Sequence, residues 1–139
     1  MKLSTRLRYG LRALVDLGTY YGKEPQLIRE IARRQEISQS YLEQNVIALR
    51  SSGLIRSVRG AKGGLMLARP PSDISLAEVV DALEGSFGLV ECVDDPASCS
   101  RAPDCATRGL WVDLKKAMDG VFRGKSLQDL VCSQEYAAD

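Results

Sequence analysis

Three cysteines, Cys92, Cys99 and Cys105, fall within one 14-residue polar stretch, with six residues between the first two and five between the last two. Buried structural cysteines are usually scattered among apolar neighbours. These stand among Asp, Ser, Arg and Pro, in a segment that reads as a loop. Thiolates gathered on such a segment can hold a metal ion or an iron–sulfur centre, or exchange between thiol and disulfide. Zinc bound by three cysteines and a carboxylate is a further reading, although these intervals lack the short CxxC knuckles of structural zinc sites. Candidates for a fourth ligand are Glu91, Asp94, Asp95, Asp104, Cys132 and an exogenous water or thiol. Cys132 lies in an apolar context beside Leu130 and Val131 and reads as a core residue sooner than a ligand. The chain has no histidine, no P-loop and no nucleotide-binding glycine motif, which removes most common catalytic constellations and argues against an enzyme.

Charge is divided along the chain. Residues 1–70 carry 13 Lys and Arg against 5 Asp and Glu, a net +8, whereas residues 71–139 carry 6 against 13, a net −7. A split this large suggests that the first half meets a polyanion. No run approaches the roughly 20 apolar residues of a membrane span. Arg12 and Asp16 interrupt the apolar residues near the N-terminus, unlike a secretory signal. Cytoplasmic placement is therefore expected, and disulfides are rarely structural there.

The elements that must position these residues follow from periodicity. Leu7, Leu11, Leu14, Val15 and Gly18 share a helical face over residues 4–21. A second helix is expected over 26–34, burying Leu27, Ile28 and Ile31, and a third over 38–52 with Ser38 as its N-cap. In the third, Leu42, Val46 and Leu49 form the inward stripe, while Ser40, Glu43, Gln44 and Ile47 fall on the opposite side. Two helices joined by a short turn, the second with an exposed small-polar face, make a helix-turn-helix. Residues 54–69 then read as two short strands around a glycine-rich basic turn, a wing in which Arg59 and Lys62 supply charge.

Beyond Pro70 and Pro71, Ser75 and Glu78 form a capping box, and the helix they open should run to about Leu83. After the cysteine segment a long helix is expected from Asp104 or Cys105 to about Arg123, its first turn favouring the Cys105 thiolate. Leu110, Trp111, Leu114, Met118, Val121 and Phe122 line its apolar face. A helix of about 19 residues is ~28 Å long, more apolar surface than the second half can cover within one subunit, so a homodimer is expected, the alternative being that the helix packs across its own winged helix. The expected fold is mainly α with a small β-wing. Residues 1–70 form a winged helix-turn-helix domain for double-stranded DNA, and residues 71–139 hold the cysteine segment and the dimerisation helix.

These motifs resemble the Rrf-two-type winged-helix transcription regulators of the IscR and NsrR type, most closely the IscR branch. The resemblance covers nearly the whole chain. Its most specific parts are Ile37 to Gln44 in the third helix, Ser57 to Gly60 with Gly63 and Gly64 in the wing, and the three-cysteine segment followed by Leu110 to Leu114. It implies a homodimer with one iron–sulfur cluster per subunit, whose state alters which promoters are bound. Cys92, Cys99 and Cys105 match the cysteine ligands; Ser40, Glu43 and Gln44 match base-reading positions, with Ser38 and Gln39 at the helix start; Arg59 matches a wing arginine that enters the minor groove. Two departures stand out. The first cysteine interval is six residues where the IscR branch has five, and Arg108 occupies the position of that branch's histidine ligand. The NsrR branch takes an aspartate from the N-terminal region, where this chain offers Arg6, Arg8 and Tyr9. Two-iron and four-iron clusters therefore both remain open, as does a thiol–disulfide or zinc sensor on the same fold, or a cluster carrier that does not bind DNA.

Overall fold

A computed structural model describes residues 2–85 and 88–138. The first helix, α1 (Thr5–Thr19), starts where Ser4 Oγ accepts from the Leu7 N–H at 3.0 Å. It buries Leu7, Leu14, Val15 and Leu17 and lies at the centre of the molecule, packed against α2 (Ile28–Gln35), α3 (Gln39–Ser51), α4 (Leu76–Glu84) and α7 (Leu127–Ala138). Helices α2 and α3 meet at a tight turn in which Glu36 takes the left-handed conformation (φ 53°) and Ile37 is buried. Strands β1 (Ile55–Val58) and β2 (Gly64–Leu67) pair antiparallel, Ile55 opposite Leu67 and Val58 opposite Gly64, forming the expected wing.

The second helix begins two residues later than its periodicity predicts. Gln26 exchanges two backbone hydrogen bonds with Leu65 (2.9 and 2.8 Å), so the chain stays extended there and forms a one-bridge third strand against β2. Leu27, expected inside, becomes the N-cap and is 41% exposed. Gly64 is required by this contact, because a Cβ on it would lie 2.5 Å from the Gln26 carbonyl oxygen.

The acidic half is not a separate lobe. Ile74, Val79, Val80, Leu83, Leu127 and Val131 join the same hydrophobic core as Leu14, Leu42 and Leu49. The expected capping box opens α4: Ser75 Oγ accepts from the Glu78 N–H and Glu78 Oε2 from the Ser75 N–H. A second Ser-Leu-x-acid start, Ser126 with Asp129, opens α7. The two starts lie side by side, joined by Leu76 N–H to the Lys125 carbonyl at 3.0 Å and Leu127 N–H to the Ile74 carbonyl at 2.8 Å. Between them run a short helical turn, α5 (Glu91–Asp94), and the long helix α6 (Arg108–Arg123).

Helix α6 starts three residues after the expected Cys105. Pro103 lies in a tight 3-10 turn (Ala102–Asp104) and Cys105 is extended, so the helix begins only at Arg108, with Thr107 as its N-cap. None of its 16 residues is fully buried; Leu110 is 60% and Val121 56% exposed. Among the described residues, no helix is long and apolar enough to cross a membrane.

Among the described residues two polar ones, Asp16 and Asn45, are built into this core, and Asp16 is the charged one. Asp16, 4% exposed, accepts from Arg34 Nη2 at 2.6 Å, Arg34 Nε at 2.9 Å and Gln35 Nε2 at 3.0 Å. Arg34 Nη2 also donates to Gln26 Oε1 at 3.0 Å, so a single guanidinium links α1, α2 and the strand that backs the wing. Removing one partner of such a pair leaves a charge stranded. Asp16→Ala is expected to cost roughly 3 kcal/mol of unfolding free energy in urea melts. Glu30→Ala, which breaks the exposed Arg33 pair, should cost no more than about 0.5 kcal/mol.

Candidate DNA-reading surface and cysteine segment

Helix α3 presents its two faces as its spacing demands. Leu42, Val46 and Leu49 are buried, with Asn45 among them, and Ser38, Gln39, Ser40, Glu43 and Gln44 are exposed. Ser38 Oγ caps the helix by accepting from the Tyr41 N–H at 3.2 Å. Gln39 Nε2 donates to Glu43 Oε1 at 3.3 Å, which restrains the carboxylate along the helix surface. Tyr41 packs edge-on against Tyr9 of α1, centroids 5.5 Å apart. Arg59 and Lys62 stand exposed at the wing tip, where the Gly63 N–H reaches the Gly60 carbonyl at 3.0 Å. One connection escaped the sequence reading: Arg50 Nη1 donates to Ser57 Oγ at 2.8 Å, tying the last turn of α3 to the wing. No linear pattern marks it, because it depends on how β1 folds back beside α3.

The cysteine segment is not a plain loop. It comprises α5 and two 3-10 turns (Pro96–Ser98 and Ala102–Asp104), with Ala102 buried as an anchor. Cys92 and Cys105 are half-buried, Cys99 is exposed, and all four cysteines are free thiols. Helix α6 clasps the segment at two points seven residues apart on one face. Arg108 Nε donates to the Cys92 carbonyl at 3.1 Å, and Lys115 Nζ pairs with Asp94 Oδ1 at 2.8 Å. The side chain of Arg108, at the position where the resemblance places a histidine, thus reaches the backbone carbonyl of a cysteine.

Cys105 lies just outside α6, yet its sulfur still meets the open end of that helix. The Thr107 hydroxyl, 3.2 Å away, is the largest influence, followed by the backbone N–H groups of Arg108 and Thr107; together they hold the thiol below its usual range. Cys132 is on α7, half-buried, with Gln128 Nε2 donating to its sulfur at 3.3 Å. As a donor set, three thiols on one short surface segment, one of them held towards thiolate, suit the iron sites of a cluster. Their positions do not yet converge: among the described residues no group of three or more Cys, His, Asp and Glu side chains is gathered as a metal ion requires. Both clasps hold the Cys92 end of the segment, so bringing the three sulfurs onto one group needs the stretch from Asp95 to Cys105 to close on that end.

Comparison with known proteins follows this geometry. The family described as "Rrf2: Iron-dependent Transcriptional regulator" matches residues 3–133. The chain belongs to the Rrf2 family. It is 42% identical over 131 residues to "Protein rrf2" of Nitratidesulfovibrio vulgaris (strain Hildenborough), covering 94% of this chain and 87% of that protein. Two solved structures are similar throughout. The IscR structure of T. potens has a TM-score of 0.82 at 36% identity, covering 99% of this chain and 90% of its own. The structure of CymR, the global cysteine regulator of B. subtilis, has a TM-score of 0.80 at 34% identity, covering 96% and 98%. Rrf2 proteins are DNA-binding transcriptional regulators, not enzymes, and the wing and helix-turn-helix described above belong to that fold.

The surroundings of Cys105 set its reactivity. Because the Thr107 hydroxyl and two N–H groups stabilise the thiolate, deprotonation sets in at lower pH than for an ordinary thiol. In reduced, metal-free protein the pH midpoint of Cys105 alkylation, followed by peptide mass spectrometry, should fall below the ordinary thiol range. Thr107→Val should move that midpoint upward while leaving the fold intact.

Proposed function

We propose that this Rrf2 regulator reads a two-fold DNA site through α3 and the wing, and that Cys92, Cys99 and Cys105 are its sensor, holding an iron–sulfur cluster. The observation that carries the reading is the double clasp of Arg108 and Lys115, which fastens the Cys92 end of the three-cysteine segment to α6 while Cys105 stands just before the start of that helix. A bound cluster would supply chemistry sensitive to oxidants, nitric oxide and iron supply. Three thiolates leave one coordination position that this histidine-free chain fills by other means: an oxygen of Asp94, Asp95, Asp104 or Glu91, Cys132, or a small molecule. Asp94 is engaged by Lys115 and Asp95 accepts from the Ala97 N–H, which leaves Glu91 and Asp104 the more available of these within the segment.

The exposed apolar residues of α6 support a homodimer. Leu110, Leu114 and Val121 lie uncovered on a 16-residue helix about 24 Å long, and a second copy would bury them. Two α3 helices would then face half-sites about one DNA turn, ~34 Å, apart. Ser38, Gln39, Ser40, Glu43 and Gln44 are assigned to the major groove, and Arg59 and Lys62 to the wing contact with the adjoining backbone and minor groove. A change in the cysteine segment reaches DNA through α6 and α4, because α6 packs on α4 and α4 packs on α1 and α3.

A second reading shares the fold. Cys105 is already held towards thiolate, as the attacking group in thiol–disulfide exchange must be. A disulfide between two of the three thiols, formed by exchange with a small-molecule disulfide that leaves as two thiols, would reshape the same clasped segment.

Binding assays separate the reading residues. Arg59→Ala should weaken binding to specific and random DNA alike, whereas Glu43→Ala should mainly relax sequence preference, by about 1–3 kcal/mol at the step it reads. Leu110→Glu should sediment as a monomer and lose the cooperative two-half-site complex.

Anaerobic purification with iron and sulfide analysis tests the sensor. Visible absorption with stoichiometric iron and sulfide is expected, abolished by Cys→Ser at residue 92, 99 or 105 and largely retained in Cys132→Ser. Colourless protein that forms a reversible disulfide between two of the three thiols would establish the second reading, and stoichiometric zinc without sulfide would overturn both.

A further inference from the structure

Along the exposed face of α3, Ser40, Glu43, Ile47 and Arg50 follow one another at intervals of three, four and three residues, which places them on one ridge. Three are polar. Ile47 is apolar, 59% exposed, and sits in the middle of the row. It borders an apolar groove of about 440 Å³ between α3, the start of α2 and the wing, lined also by Leu27, Ile28 and Val58. Leu27 is the residue that the delayed start of α2 turns outward, so two exposed aliphatic side chains share this hollow. Arg50 bounds it on α3, held at 2.8 Å to Ser57 of β1. Glu43 bounds it on the same helix, so the groove offers an apolar wall between one carboxylate and one guanidinium.

We infer that this groove receives the C5-methyl group of a thymine, and that Ile47 is a specificity-determining residue for a T·A pair in each half-site. The inference rests on α3 lying in the major groove, as proposed above. The donors and acceptors of the base edges in that groove would lose their water against Ile47 without replacement, and the thymine methyl is the one apolar group that projects beyond the ring edges to fill the hollow. The thymine methyl gains from the contact, and its position on the ridge sets it next to the base met by Glu43. Arg50 stays on the groove rim near the backbone, anchored by Ser57, and so fixes the distance between wing and recognition helix while the methyl is read.

The test removes one methyl at a time. A site is first selected from random duplexes by the full-length wild-type protein, and each thymine in it is then replaced singly by deoxyuridine, which deletes only the C5-methyl. For wild-type protein, one thymine per half-site should weaken binding about fourfold when replaced, the effect of losing one buried methyl. Ile47→Ala should bind the thymine site with a similar loss and show no further loss with uracil at that position, so that the two deletions do not add. Glu43→Ala should keep the uracil effect. A selected site at which Ile47→Ala and wild type respond alike to every uracil substitution would overturn the assignment of Ile47 while leaving DNA reading by α3 intact. Failure to select any site would overturn the reading on which the inference rests.

Discussion

A Cβ at Gly10 would lie 2.4 Å from Leu83 Cδ1 of α4, and one at Gly18 would lie 2.7 Å from Val131 Cγ2 of α7. These two bare positions, eight residues apart on α1, let a helix from the acidic half settle directly onto the backbone of the first helix. With no side chain at either position, Leu83 and Val131 pack directly on the α1 backbone, and interiors packed to crystal density transmit displacement more than they absorb it. The rest of the molecule depends on them. Through α1 the same contact reaches α2 by way of Asp16 and Arg34, and α3 by way of Tyr9 and Tyr41. The cysteine segment is clasped to α6, α6 rests on α4, and α4 is seated against Gly10. A continuous set of packed and hydrogen-bonded groups thus joins the thiols to the recognition helix without leaving one subunit.

Charge and packing divide the labour differently. The basic surplus and the acidic surplus mark two ends of the chain, yet the hydrophobic core ignores that boundary and draws from both. The electrostatic partition concerns what each surface meets, and the core concerns how the surfaces are held relative to one another. Wing placement illustrates the second task. Gln26 pairs with Leu65 through its backbone and with Arg34 through its side chain, so the ion pair that fixes α1 to α2 also fixes the root of the wing.

Features governed by local rules were legible in the sequence. Ser38 and Ser75 cap where their hydroxyls and the following periodicity predict, the inward stripe of α3 is Leu42, Val46 and Leu49, and the glycine-rich turn folds into the wing. Features set by distant partners were not. Leu27 is apolar and in phase with Ile31, but the backbone bridge from Gln26 to Leu65 delays the helix and turns it outward. The start of α6 was displaced because a 3-10 turn around Pro103 stands where helical dihedrals were expected. Asp16 looked like an interruption of an apolar run, and only Arg34, eighteen residues on, makes its burial tolerable. In the cysteine segment residue types revealed the candidate chemistry, whereas the clasp by Arg108 and Lys115 needed the orientation of α6.

The paired starts of α4 and α7 bear on how the chain reaches this state. Local contacts among α1, α2 and α3 can form early, since they join segments near in sequence. Val131, however, fills its place over Gly18 only after 112 intervening residues have been made. The closure entropy of so long a loop is modest, since each doubling of length adds only about 0.6 kcal/mol. Delay is the larger consequence: at the ~5–20 residues per second of synthesis, several seconds separate the two. Through that interval Gly18 and its neighbours lack their cover. The bridge between Ser75 and Ser126 shortens the remaining search, because it brings the first turn of α7 beside a helix already docked on α1. It serves as a guide for seating α7 against the start of α4.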